Sequence, residues 1–390
     1  MSARRGRSLV HAFLMVLVCC AALVPGLQAK ILFSGGDGEN PSFPAFAQSV
    51  ASPGASLQNF LTGGPTLYEP LAVRIGPDGS FYVLEGEDSL DSGALPIVYR
   101  YSSTGAYIGV FIDRGIYTGG GATVDLSAAN NFDPADMVFG PDGNLYISVH
   151  EMDGALAPNP AYGDRGMVLR FNGSTGAFMG IFVANGAGDG GENRIGEPRS
   201  LVFDPAGNLY VSNTSEAAFG DSGGVIKFSS TGAYSSVVIP SGHALLDEIS
   251  GLTFHNGVLY ASNEDNDNIL SVSFNADGTT NTIAVFVTAG SGGLEEPKAL
   301  AFGQDGLLYV VSSGNQAVLR FDGATGAFRD AFVPGHASNT APNYDPYGVL
   351  IFTAEDVAVP LLSPMHIAAL MAAILVMAGL TFRQVRRRRA

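Results

Sequence analysis

Apolar and polar residues alternate along short segments of this chain, and punctuation of one kind breaks the alternation at intervals. Residues 69–83 read EPLAVRIGPDGSFYV, 133–147 read DPADMVFGPDGNLYI and 197–211 read EPRSLVFDPAGNLYV, with further copies starting at Glu248 and Glu296. Alternation over five or six residues on either side of a Gly/Pro/Asp turn predicts a β-hairpin. Asp78-Gly79 and Asp142-Gly143 are expected to supply the positive φ angles of two-residue turns. A second hairpin follows in each copy, around Thr104-Gly105, Thr175-Gly176 and Thr325-Gly326. Four antiparallel strands per unit, with a period of tens of residues, predict units that stack because none can bury its apolar face alone. The expected fold is an all-β propeller.

The tyrosine that closes each second strand counts the units. It falls at Tyr82, Tyr146, Tyr210, Tyr260 and Tyr309, in steps of 64, 64, 50 and 49. A step of 49 back from Tyr82 reaches Phe33, and a step of 49 forward from Pro297 reaches Pro346. An incomplete unit at the start is thus matched by a lone inner strand at the end. Pairing the N- and C-terminal strands predicts a six-bladed β-propeller with no open sheet edge, spanning residues 30–352. At Asn208–Asn213 and Leu307–Ser312 the repeats resemble the NHL-type propeller family and its lactonase-like relatives. That resemblance implies a fold, because the shared positions are mostly packing positions.

The two ends have a different character. Arg4, Arg5 and Arg7 precede an apolar run from Val10 to Val24, with cleavage expected after Ala29, so residues 1–29 read as a signal peptide. Cys19 and Cys20 both lie inside it, which leaves the exported protein without thiol chemistry. After a short linker, 353–360, the stretch 361–382 carries no formal charge and is long enough to span a bilayer as a helix. Arg383 and Arg386 to Arg389 follow and are expected on the cytoplasmic side. The segment Val359, Pro360, Leu361, Leu362, Ser363, followed by this apolar and basic tail (361–390), resembles bacterial sorting signals read by exosortase-type enzymes, in the Ile-Pro-Thr-Leu variety. The tail is either processed at that signal or kept as a plain membrane anchor. The expected location is the cell envelope, the cell surface or the extracellular space.

Charge narrows the partners. Eight of the 20 basic residues lie in the two ends and 12 between them, whereas all 36 acidic residues lie between, so the ectodomain sits near −24. Such a field argues against nucleic acid as a partner. Every longer insertion, at 85–96, 112–132, 151–165, 183–196 and 215–222, is expected on the disc face opposite the short turns. On that face the residue that opens each inner strand is acidic: Glu69, Asp133, Glu197, Glu248, Glu296 and Asp345. Six carboxylates around the channel mouth form a candidate cation-binding ring, calcium being the suited ion; the alternative is that they merely accept backbone N–H bonds. The Asp-rich segments 37–40, 189–193 and 264–268 lack the spacing of an EF-hand loop and are read as solvated turns in preference to calcium loops. His150, His243 and His336 share this face and are the alternative metal or acid/base residues, although they do not repeat in register. No catalytic motif is found. The reading that results is a non-enzymatic binding protein that meets an unidentified protein or glycan through its acidic loop face. The alternatives are a cation-dependent hydrolase or lyase of the lactonase-like propeller type, and a structural surface or matrix protein.

Overall fold

The computed structural model describes residues 30–35, 46–50, 58–59, 61–65, 67, 70–86, 97–126, 133–151, 165–188, 195–214, 223–335 and 346–352, the terminal strands by backbone alone. Glu69, Asp345, His336, the signal peptide and everything after 352 lie outside these residues. No helix among the described residues is long and apolar enough to cross a membrane.

Five blades are each built from one continuous stretch of chain: 70–112, 133–183, 197–239, 249–287 and 297–333. In each, four antiparallel strands follow one another from inner to outer in sequence order. The structure thus shows five blades where the sequence predicts six. The remaining four-stranded sheet is assembled from both ends of the chain, in the order Pro346–Phe352, Lys30–Gly35, Phe46–Val50, Gln58–Asn59. Its central register pairs Lys30 with Phe352 and Phe33 with Val349. Pro346–Phe352 lies against the inner strands Pro297–Phe302 and Pro70–Ile75.

The counting tyrosine stitches the blades together. Tyr82 packs edge-on against Phe111 of its own outer strand (4.7 Å) and Phe139 of the next blade's inner strand (4.9 Å). Tyr146 repeats this with Phe182 and Phe203, and Tyr260 with Phe286 and Phe302. Rings at these separations add roughly 0.5–1.5 kcal/mol per pair beyond the area they bury. The core is therefore a set of apolar layers between blades rather than one central cluster.

The turn chemistry departs from expectation. Gly79 and Gly143 are left-handed, with φ of 75° and 76°, but Asp78 and Asp142 are not. Gly79 N–H donates to Gly76 O (2.9 Å), and the Asp78 carboxylate accepts the Ser80 N–H (3.0 Å). Pro77 holds the first turn position at negative φ, so the loop is a type I turn followed by a left-handed glycine. Among the first hairpins of the five continuous blades, that of the fourth alone has the two-residue turn with both angles positive, Asn256 (49°) and Gly257 (79°). The 112–132 insertion also departs from a plain loop. It contains a hairpin, Ile116–Gly119 with Ala122–Asp125, laid over the outer strand of the second blade. There Tyr117 packs against Phe171 and Phe178.

Candidate functional site

All five continuous blades carry a β-bulge at the same place, two residues into the inner strand. Pro70 pairs with Glu85 and Ala72 with Leu84, so the register skips Leu71, and Ala135 and Ser250 are skipped in the same way. In the third and fifth blades two residues, Arg199-Ser200 and Lys298-Ala299, oppose one. A bulge bends the strand and re-aims a side chain. Here the re-aimed third residues, Leu71, Ala135, Arg199, Ser250 and Lys298, all line one cavity of about 270 Å³ among the inner strands.

The serine of the second strand makes the bulge tolerable. Ser148 Oγ accepts the Asp136 N–H (2.9 Å), Ser212 Oγ the Ser200 N–H (2.8 Å) and Ser262 Oγ the Gly251 N–H (2.7 Å). Each of these amides would otherwise be a buried unpaired donor, at a cost of about 1–3 kcal/mol. Ser148 donates in turn to Arg199 O of the next blade (2.8 Å), and Ser262 donates to Lys298 O. Gly251 is required by this closeness, because a Cβ there would lie 2.3 Å from Lys298 O.

Asp136 is the hub deeper in the channel, at 7 % exposure. Its Oδ1 meets Arg74 Nη2 of the preceding blade (2.6 Å) and the Met137 N–H (2.7 Å). Its Oδ2 accepts from Ser200 Oγ and the Leu201 N–H of the following blade, both at 3.1 Å. Ser200 Oγ accepts the Leu252 N–H one blade further on (3.1 Å). One carboxylate thus links side chains and amides from four blades.

Nearer the mouth, the structure brings three of the expected site residues together. His150 Nδ1 lies 3.2 Å from Asp133 Oδ2, and its Nε2 faces Glu197 Oε2 at 3.4 Å, an ion-pair contact rather than a well-formed hydrogen bond. Burial opposes a charge on His150, but the two carboxylates outweigh it and push its pKa up to about 9. Glu197 is drawn down to about 2, chiefly by His150 against its own burial, with help from the Thr214 hydroxyl at 2.7 Å. The imidazole is therefore a cation at neutral pH and holds no lone pair for base or ligand chemistry.

The other expected residues have separate surroundings. Glu248 pairs with Arg199 (2.6 Å); burial raises its pKa, and Arg199 opposes that rise. Glu296 is exposed, with a left-handed backbone (φ 45°) whose N–H donates to Asp267. His243 does not line the cavity; its Nδ1 accepts the Leu245 N–H of its own turn (3.3 Å). No group of three or more His, Cys, Asp or Glu among the described residues is placed to hold a metal ion.

Sequence reasoning missed Arg74, Asp136, Arg199, Lys298 and Glu264. Glu264 is not the solvated residue expected. Its side chain is 12 % exposed, accepts from Ser250 Oγ, and lies 3.3 Å from Lys298 Nζ and 3.9 Å from Arg199 Nη1. One signal was available: the third letter of the repeat varies (Leu, Ala, Arg, Ser, Lys) behind a first letter that is always acidic and a second that is Pro in four of these five copies.

Comparison with known proteins places the fold and no more. No family model matches the chain, and no curated protein matches it. Among solved structures it is similar to a chain of a nidogen/laminin complex, at 15% identity and TM-score 0.54, covering 83% of this chain and 98% of that one. A protein from Lactobacillus plantarum superposes with TM-score 0.52 at 14% identity, over 83% of this chain and 99% of the other. A Bacteroides caccae protein of unknown function gives 0.50 at 13% identity over the same shares. Likeness at such identities shows a β-propeller and carries no activity with it.

Proposed function

We propose that this chain is an exported, non-enzymatic binding propeller that recognises its ligand at the axial cavity on the face opposite the short turns. In this reading the sheet shared by the chain ends serves as the sixth blade and closes the ring around the cavity. The observation that carries the reading is the bulge. Five strands each give up regular pairing at one position, and all five re-aimed residues line a single concave site. Packing alone does not call for that repetition.

Catalysis has less support. His150 is engaged by Asp133 and Glu197 and stays protonated, so it is a poor general base. Calcium is not needed by this reading, since Asp133, Glu197 and Glu248 already face His150 and Arg199. Export, the membrane tail and exosortase-type processing at 359–363 belong to the same proposal and rest on the sequence of the two ends.

The test is a thermal-shift screen of the purified protein against small polar metabolites and oligosaccharides, repeated on Ala135→Phe, which fills the cavity. Compounds that stabilise the protein should lose their effect in the filled variant. Stabilisation that survives the filling, or chemical conversion of a stabilising compound seen by NMR, would overturn the reading.

A further inference from the structure

The sequence promises a ring of carboxylates, yet the cavity wall carries the opposite balance. Four basic side chains line it, Arg74, His150, Arg199 and Lys298, against two acidic ones, Asp133 and Asp136. Glu197, Glu248 and Glu264, which hold His150, Arg199 and Lys298, are not part of the wall. These three carboxylates stand off the wall, and the cations they face line it.

We infer that the cavity binds a small hydroxylated carboxylate, of the size and kind of a single uronic acid, with its carboxylate on Arg199 and Lys298. This rests on the axial cavity being the binding site. A guanidinium has five N–H donors in a fixed fork. Glu248 engages Arg199 through Nη2 at 2.6 Å, and Glu264 stands 3.9 Å from Nη1, so donors remain for a ligand oxygen. Lys298 comes from the inner strand two blades on, and it shares Glu264, just past the second strand of the blade between, with Arg199, so one largely covered carboxylate faces both cations. Charge-assisted bonds from two such groups are the strong way to hold a carboxylate. On the same wall, Arg74 has N–H donors beyond those that meet Asp136 and Val73 O, and Ser250 Oγ, which donates to Glu264, can accept, a combination that suits hydroxyl groups. Leu71, Leu252 and Leu300 supply apolar wall for the carbon skeleton. A volume of about 270 Å³ lies below the roughly 300–1,000 Å³ of pockets for drug-sized ligands, which limits the occupant to about one sugar unit.

Calorimetric titration of the purified protein with D-glucuronate, D-glucose and D-glucosamine separates the possibilities, since these share a ring and differ in charge. Glucuronate should bind, and glucose should bind at least about tenfold more weakly. Arg199→Gln and Lys298→Gln should each cost glucuronate about tenfold or more with the cooperative thermal unfolding transition retained. Arg329→Gln, which removes an exposed positive charge from an outer strand, should change nothing. Equal binding of glucose or glucosamine, or glucuronate binding that survives both Arg199→Gln and Lys298→Gln, overturns the assignment. Glucosamine or glucose binding that Ala135→Phe abolishes would overturn the charge assignment and leave the cavity reading standing. No glucuronate binding, with another compound class active in the cavity screen, has the same meaning. Silence in both experiments overturns both.

Discussion

Both faces of this disc carry aspartates paired with cations, but the pairs are built over different distances along the chain. On the short-turn face each clasp belongs to one blade. Asp78 pairs with Arg100 and lies 3.4 Å from the Tyr82 hydroxyl; Tyr146 donates to Asp142 (2.9 Å) and Tyr309 to Asp305 (2.8 Å). Lys227 stands over the Tyr210 ring and faces Asp204 at 3.8 Å. The phenols are held neutral: burial, with Asp142 beside it, pushes Tyr146 up to about 12. On the axial side four charged contacts cross a blade boundary, Arg74 to Asp136, His150 to Glu197, Arg199 to Glu248 and Lys298 to Glu264, while His150 also meets Asp133 of its own blade. The short-turn clasps close hairpins, whereas the axial pairs hold blades in register and shape a cavity.

The fourth continuous blade shows how self-contained the clasp is. It has the tighter Asn256-Gly257 turn, with Ser271 where the other third strands have Arg or Lys. Aspartate and cation are missing together, and the blade is intact: His255 stacks on Phe302 at 3.9 Å beside Tyr260. A clasp can be dropped from one blade without loss of the fold, because its energy is local.

If that contrast is right, the largest effect should come from Asp136→Ala. It leaves Arg74 without its carboxylate and strips acceptors from Ser200 and Leu201, so a loss of about 3 kcal/mol is expected in urea unfolding. A loss no larger than that of a short-turn aspartate would break the comparison.

The next effect is a pH dependence carried by His150. Its pKa is raised in the fold, from 6.5 to about 9, so its contribution is complete below 6.5 and disappears as the pH rises through 9. Glu197 is shifted the other way, from 4.5 to about 2, so its share is complete above 4.5 and is lost as the pH falls through 2. Between pH 6 and 9.5 the native protein should lose about 2 kcal/mol, a figure reduced for partial solvent screening. His150→Gln should show a flatter profile over the same interval, and an unchanged slope would remove His150 from the axial network.

The smallest effect belongs to the other face. Asp142→Ala should cost about 1 kcal/mol, since it removes exposed or half-buried bonds to Asn144 and Tyr146 within one hairpin. Melting curves should show the loss, and ligand stabilisation at the cavity should be untouched. A lost ligand response would couple the two faces and erase the distinction.

The alternation, the Gly punctuation and the spacing of Tyr82, Tyr146, Tyr210, Tyr260 and Tyr309 were legible as blades because partners within a blade lie close along the chain. The leading acid of each inner strand was legible too, but its partner was not. His150 and Glu197 are far apart in sequence, and nothing in either copy of the repeat points to the other. The bulges were equally hidden, because they need the second-strand serine and the neighbouring blade's carbonyl to be in place.

What the sequence determined by itself is therefore the unit: four strands, a tyrosine-centred layer, a turn clasp, and an acidic first letter. Tertiary structure decided which letter faces the axis. The repeated acid is drawn into pairs at Asp133, Glu197 and Glu248, and the last two lie off the wall, while the bulge turns the variable third residue inward. The physical reason is range: hairpin geometry is set by neighbours a few residues apart, but the charge of the cavity wall depends on side chains that only the closing of blades brings within hydrogen-bond distance.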